Sequence, residues 1–192
     1  MSTSNETNRF TNLQGHFLVA MPSLNESIFS HTVAYICDHN DQGAMGVVIN
    51  QPTQVMLGEV FEQLSLPKDG QAGSMNVLAG GPVASQQGFV LHRNEGSWDS
   101  SLQVGTNMCL TASKDIMRAL ATEQGPKDAQ FILGYAGWSP GQLEDEILEN
   151  SWLTTPADEH IIFEIPAEKR RHATAEKLGI NLDLISPNAG HA

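Results

Sequence analysis

Basic residues are scarce in this chain. Ten lysines and arginines stand against 22 aspartates and glutamates, for a formal net charge of −12. Acids outnumber bases in both halves. A phosphate backbone would meet repulsion on average, so direct nucleic-acid binding is disfavoured. Lys169, Arg170, Arg171 and Lys177 lie close together, but Glu168 and Glu176 interrupt them, and the group reads as a solvated helix face. Cysteine is also rare. Two residues, Cys37 and Cys109, cannot build a disulfide scaffold, and each sits in an apolar run where a buried free thiol is expected. No apolar stretch approaches the ~18 residues of a membrane helix. The polar opening residues lack the basic and apolar parts of a secretory signal. The expectation is a cytoplasmic protein with no membrane contact.

Chemical signatures are missing too. The sequence has no dinucleotide-type glycine loop after a strand, no Walker A motif, no H-E-x-x-H, no G-x-S-x-G and no EF-hand loop. These gaps leave no catalytic residue, metal or cofactor to assign.

What is present is ordinary globular material: 192 residues, 40% of them hydrophobic. That length suits one domain with a core of its own. We expect an arm at residues 1–12, a single domain over 13–185 and a tail at 186–192. Apolar runs at 17–21, 32–37, 44–49, 77–79, 88–92, 101–104, 106–110, 131–133 and 161–165 read as strands. Residues 38–43 read as a turn between two of them. Helical spacing marks 57–64, 113–123, about 140–150, and a last helix opened by Pro166 and stopped by Gly179. Strands cluster in hairpin-like groups without regular βαβ alternation, so the class is mixed α+β. Residues 67–74 form the best candidate for a mobile loop.

The corner Trp138-Ser139-Pro140-Gly141-Gln142-Leu143 carries a local mechanism. Ser139 reads as an N-cap, Pro140 as the first helical residue, and Gln142 as the side chain that reaches back to Ser139. Trp138 and Leu143 then form a hydrophobic staple. A ligand pocket lined by Tyr135 and Trp138 is the alternative use of this corner. Cys37, Asp38, His39 and Asp41 form the densest set of metal-ligand types. Alternation would put Cys37 and His39 on one strand face. A metal site would still need His31 or His92, and turn chemistry is the preferred reading. Acid–base work could pair His39 or His92 with Glu144 or Asp38, and a nucleophile could be Cys37, Cys109 or Ser139. Gly80-Gly81-Pro82 permits close backbone approach, either to a ligand or to a neighbouring strand.

Several segments together resemble the YqgE/AlgH family of bacterial proteins. They include Phe17-Leu18-Val19-Ala20-Met21-Pro22, Tyr35-Ile36-Cys37-Asp38-His39-Asn40, Gly46-Val47-Val48-Ile49-Asn50-Gln51-Pro52, Gly80-Gly81-Pro82-Val83, Gly88-Phe89-Val90-Leu91-His92 and Gly134-Tyr135-Ala136-Gly137-Trp138. The resemblance implies a single α+β domain whose mixed sheet curls into a partial barrel braced by helices. It implies no established activity or cofactor, and it carries a transcriptional-regulator label. The chain departs from the family pattern at His31, where arginine is usual. It departs again at Gln86 and Gln87, where an acid and a base are usual.

The expected function is therefore binding of a protein or small-molecule partner, with any regulation indirect. The candidate site residues are His39, Asn50, Gly81, Pro82, His92, Tyr135 and Trp138. The alternatives are an enzyme with a pocket near His39, Gly81 and His92, and a direct transcriptional regulator. A homodimer is the base-rate expectation for self-association.

Overall fold

A computed structural model describes residues 12–68 and 70–182. The expected tail, and all of the expected arm except Asn12, lie outside those residues. Among the described residues no helix is long and apolar enough to cross a membrane.

The chain runs β1 (His16–Ala20), β2 (Val33–Asn40), β3 (Gly43–Val48), β4 (Pro52–Met56), α1 (Leu57–Gln63), β5 (Asn76–Ala79), β6 (Val83–Arg93), β7 (Ser101–Val104) and β8 (Met108–Thr111). It continues with α2 (Lys114–Ala121), β9 (Ala129–Trp138), α3 (Gln142–Leu148), β10 (Trp152–Pro156), α4 (Glu159–Phe163) and α5 (Arg170–Lys177). Strand order is β10-β1-β2-β3-β9-β6-β8-β7. β5 adds to β9 in parallel and carries β4 on its other side. The sheet curls into a half-barrel. Gln14 spans its open seam, where its Nε2 donates to Cys37 O on β2 at 3.0 Å and to Gln103 O on β7 at 3.5 Å.

Period-two alternation sorts the strand residues into layers. Phe17, Val19, Val33, Tyr35, Val47, Leu91 and Ile132 face the inside of the curl, and Ile161 and Ile162 of α4 join them there. Leu18, Ala34, Ile36 and Val48 face outward beneath Leu143 of α3. Val90 and Phe131 face outward beneath α1 and α2. β9 serves both outer layers, because Gly134 (φ +73°) adds a residue that resets its alternation. Tyr135 thereby turns inward, and Ala136 and Trp138 turn toward α3.

Several expectations need correction. Residues 161–165 do not form a strand. Ile161 and Ile162 lie in α4, where Asp158 accepts from the His160 N–H at 3.0 Å as an N-cap, and burial overrides β-branched propensity. β2 runs on through Asn40, so the turn to β3 is only Asp41-Gln42. β4 and β10 are strands where none was expected. After Pro166 comes a 3-10 turn, Ala167–Lys169, before α5 begins. Arg170 is no solvated side chain. It is buried, and it donates to Ile49 O at 2.5 Å and to Ile165 O at 2.9 Å. Burial pulls its guanidinium down to about 10. Ser139 is not the N-cap of α3. Gly141 takes that place with φ +77°, and no side chain caps the helix. The reach-back does form, with the Ser139 N–H donating to Gln142 Oε1 at 2.9 Å. Trp138 and Leu143 pack in one cluster, as a staple requires.

Candidate functional site

The bulge between Ile36 and Asp38 decides what happens to the densest ligand set. It sends Cys37 into the inner core and leaves His39 on the outer face against α3, so the two do not share a face. Burial pushes the Cys37 thiol well above its ordinary range, with the neighbouring Asp38 adding to the rise. Cys109 lies on the outer face between inward Met108 and Leu110. Burial raises its thiol as well. Among the described residues no cluster of three or more histidine, cysteine or carboxylate groups could hold a metal.

His39 is buried between two partners. Its Nδ1 accepts from the Leu13 N–H at 3.0 Å, and its Nε2 lies 2.9 Å from Glu144 Oε1. A nitrogen that accepts from an amide carries no hydrogen, so Nε2 donates to the carboxylate. The ring ties β2, α3 and the chain before β1 together. His92 is equally engaged, with Nδ1 2.6 Å from Arg93 O and Nε2 2.8 Å from Thr111 Oγ1. Asn50 acts as a backbone clip. Its Oδ1 accepts from the Val33 N–H at 2.7 Å, and its Nδ2 donates to His31 O at 2.9 Å.

The glycines of Gly80-Gly81-Pro82 are explained by contact with β9. A Cβ on Gly81 would lie 2.2 Å from the Tyr135 carbonyl carbon, and one on Gly80 would lie 2.4 Å from Gly134 O. The bend that follows forms one side of an open cleft of about 420 Å³. Ile28, Phe29, Val48, Ala79, Gly81 and Pro82 supply its apolar lining, and Ser30, Thr32 and Gln51 its polar atoms. None of these residues is charged. Phe29 also stacks on Trp138 with ring centroids 6.3 Å apart and meets Trp152 edge-on at 5.6 Å. Both indole N–H groups donate to Glu146 Oε2, at 2.9 and 2.8 Å.

The structure brings some of the expected residues together at this cleft and leaves others apart. Gly81 and Pro82 line the cleft, the Tyr135 backbone braces Gly81, and Trp138 supports the cleft through Phe29. Asn50 holds the neighbouring His31 and Val33. The Tyr135 ring packs inward, edge-on to Phe89 at 6.0 Å. His39 and His92 do not line the cleft; each belongs to a separate hydrogen-bond set. Ile28, Phe29 and Gln51 were missed. The available signal was an apolar pair, Ile28-Phe29, in an otherwise polar stretch.

A second open cleft, of about 510 Å³, lies between the α2 C-terminus, residues 71–75 and Phe163, and holds none of the expected residues. Beside it Arg93 donates to Asp128 Oδ2 at 2.6 Å, pairs with Glu159, and sits over the Phe163 ring at 5.4 Å.

Comparison with known proteins gives a consistent assignment. The family profile described as AlgH-like matches residues 17–183. A UPF0301 protein of Saccharophagus degradans is 55% identical over 183 residues, spanning 95% of this chain and 90% of its own. One of Thioalkalivibrio sulfidiphilus is 50% identical over 182 residues, spanning 95% and 98%. The solution structure of the AlgH protein from Pseudomonas aeruginosa matches with TM-score 0.78 and 44% identity over all of both chains. A Corynebacterium diphtheriae protein shares the fold at TM-score 0.69 and 21% identity, over 95% of each chain.

Proposed function

This chain belongs to the AlgH-like family, and we propose that it works by binding, at the cleft between Ile28-Phe29 and Gly81-Pro82. One observation carries this reading: a cleft without charged lining opens beside Ile28, a large apolar side chain left 71% exposed. Its volume falls within the range of small-molecule sites, and apolar walls with a few polar atoms are what such sites use. The occupant is an uncharged apolar group, either a small molecule or a side chain of a protein partner. Gln51 and Ser30 offer it hydrogen bonds at the rim.

With a net charge of −12, any effect on gene expression runs through that occupant rather than through contact with duplex DNA.

The test is a panel of uncharged aromatic and aliphatic compounds, read by shift in Tm. The unaltered chain is compared with Ala79→Trp, which fills the cleft from an exposed position. At least one compound should raise the Tm of the unaltered chain and leave the variant unmoved. Equal shifts in both proteins, or none in either, would end the proposal.

A further inference from the structure

The outer face of β6, β8 and β7 carries a line of polar groups that the binding reading does not use. From His92 the line runs through Thr111 to Ser101, whose Oγ lies 2.7 Å from Thr111 Oγ1. One fact orients every proton in it: a carbonyl oxygen can only accept. His92 Nδ1 faces Arg93 O and therefore carries hydrogen. A neutral imidazole then has its lone pair on Nε2, so Thr111 donates to it. The Thr111 oxygen is left to accept from Ser101. Burial lowers the His92 pKa from its ordinary value, which favours this neutral ring. Thr111 is fully buried, while Ser101 is exposed. The line thus joins a buried base to a hydroxyl that solvent reaches. The other acceptor near Ser101 Oγ, Trp98 O, is farther away at 3.2 Å.

The backbone adds a second feature. The Ala112 N–H donates to Ser100 O at 3.3 Å, which makes residues 100 and 112 a hydrogen-bonded pair. In an antiparallel ladder the next pair, Ser101 with Thr111, turns its N–H and C=O groups away from the partner strand. Gln103, two residues on, shows the same orientation, since its carbonyl reaches Gln14 across the seam. The Ser101 N–H therefore points away from β8, off the free edge of β7 on the seam side, while its hydroxyl lies on the outer face. A donor there can stabilise an oxyanion formed on a group that Ser101 attacks.

We propose that Ser101 is an acyl-acceptor site that reacts with activated esters, with Thr111 relaying its proton to His92. In the step, Ser101 Oγ bonds to the acyl carbon and the ester bond to the leaving alcohol breaks. The leaving group departs as its anion. The Ser101 proton passes to Thr111 Oγ1 as the Thr111 proton passes to His92 Nε2. The imidazolium so formed keeps its bond to Arg93 O. A nucleophile, a base within reach and a group that orients the base are the parts such chemistry requires. Here a buried hydroxyl stands between the first two.

The full chain is treated with p-nitrophenyl acetate. p-Nitrophenolate release is followed, and acetylated residues are mapped by peptide mass spectrometry. Ser101 should acetylate about 100-fold faster than the exposed Ser100 and Ser139, the lower end of what a positioned base contributes. Thr111→Val should bring Ser101 down to the rate of those serines, and Thr111→Ser should restore it. A side chain that only packed would not lose the rate in Thr111→Val, which keeps its shape. Should Thr111→Val not fold, Thr111→Ser and the serine comparison in the unaltered chain still decide. Ser101 reacting no faster than Ser100 and Ser139 overturns the proposal, and leaves the cleft reading untouched.

Discussion

Burial of the His92 ring couples folding to proton binding. Its lowered pKa means that the unfolded chain takes up a proton at a higher pH than the folded one. Above about 6.5, the ordinary value, both states are neutral and the contribution of His92 to stability is complete. As pH falls below that point, the unfolded state binds the proton first and stability declines, until the folded pKa is passed. Urea unfolding at pH 7.5 and at pH 5 should show this loss in the unaltered chain and a smaller one in His92→Gln. Equal pH dependence in both would show that His92 does not carry the effect. Asn50 is a simpler case at the same scale. Asn50→Ala would leave the Val33 N–H and the His31 carbonyl without their partner, at a cost of about 2 kcal/mol in urea unfolding. Neither role could be read from the sequence. Asn50 looked like the end of a strand, and the partners of His92 lie on strands whose register it does not state.

At the scale of the element, the start of α3 separates two kinds of capping. The Ser139 hydroxyl makes no cap, whereas Gly141 holds a left-handed backbone with open space where a Cβ would go. Ser139→Ala should therefore be nearly silent. Gly141→Ala should cost about 1 kcal/mol through backbone conformation alone. Thermal unfolding of the two variants side by side checks this, and the reverse order would restore Ser139 as the cap. The motif was legible in part: the staple and the Gln142 reach-back were foreseen, but the helix starts two residues later than Ser139-Pro140 suggests. α4 was misread because Ile161 and Ile162 favour strands locally, although the Asp158-Glu159 start announced a helix. β10 stayed hidden because it is five residues long, ends in Pro156, and is held by register with β1. Pairing of that kind is a long-range fact.

For the whole molecule, the α+β class followed from the hairpin-like clusters of apolar runs, and the curl was what the family resemblance implied. The layering around β9 followed from neither, because it turns on one backbone angle. Around Gly134 the strand exchanges β5, which pairs with Ile132 and Leu133, for β3, which pairs with Ala136 to Trp138, while β6 runs beside it from Ala129 to Tyr135. The bend at residues 81–85 crosses at this point. A Cβ at Gly134 would lie 2.5 Å from Gly81 O, 3.0 Å from Val83 O and 3.1 Å from Ser85 Cα. All three are backbone atoms, so no rotamer change relieves the clash. Gly105, in the turn between β7 and β8, also has positive φ but open space around it. Gly105→Ala should cost about 1 kcal/mol, the conformational penalty alone. Gly134→Ala should pay that and the separation of two strands as well, about 3 kcal/mol or more. It should also widen the cleft at Gly81-Pro82, so a compound that stabilises the unaltered chain should lose its effect on any Gly134→Ala protein that folds. If the two alanine variants unfold at the same urea concentration, the close approach is not what holds the two halves of the sheet in place.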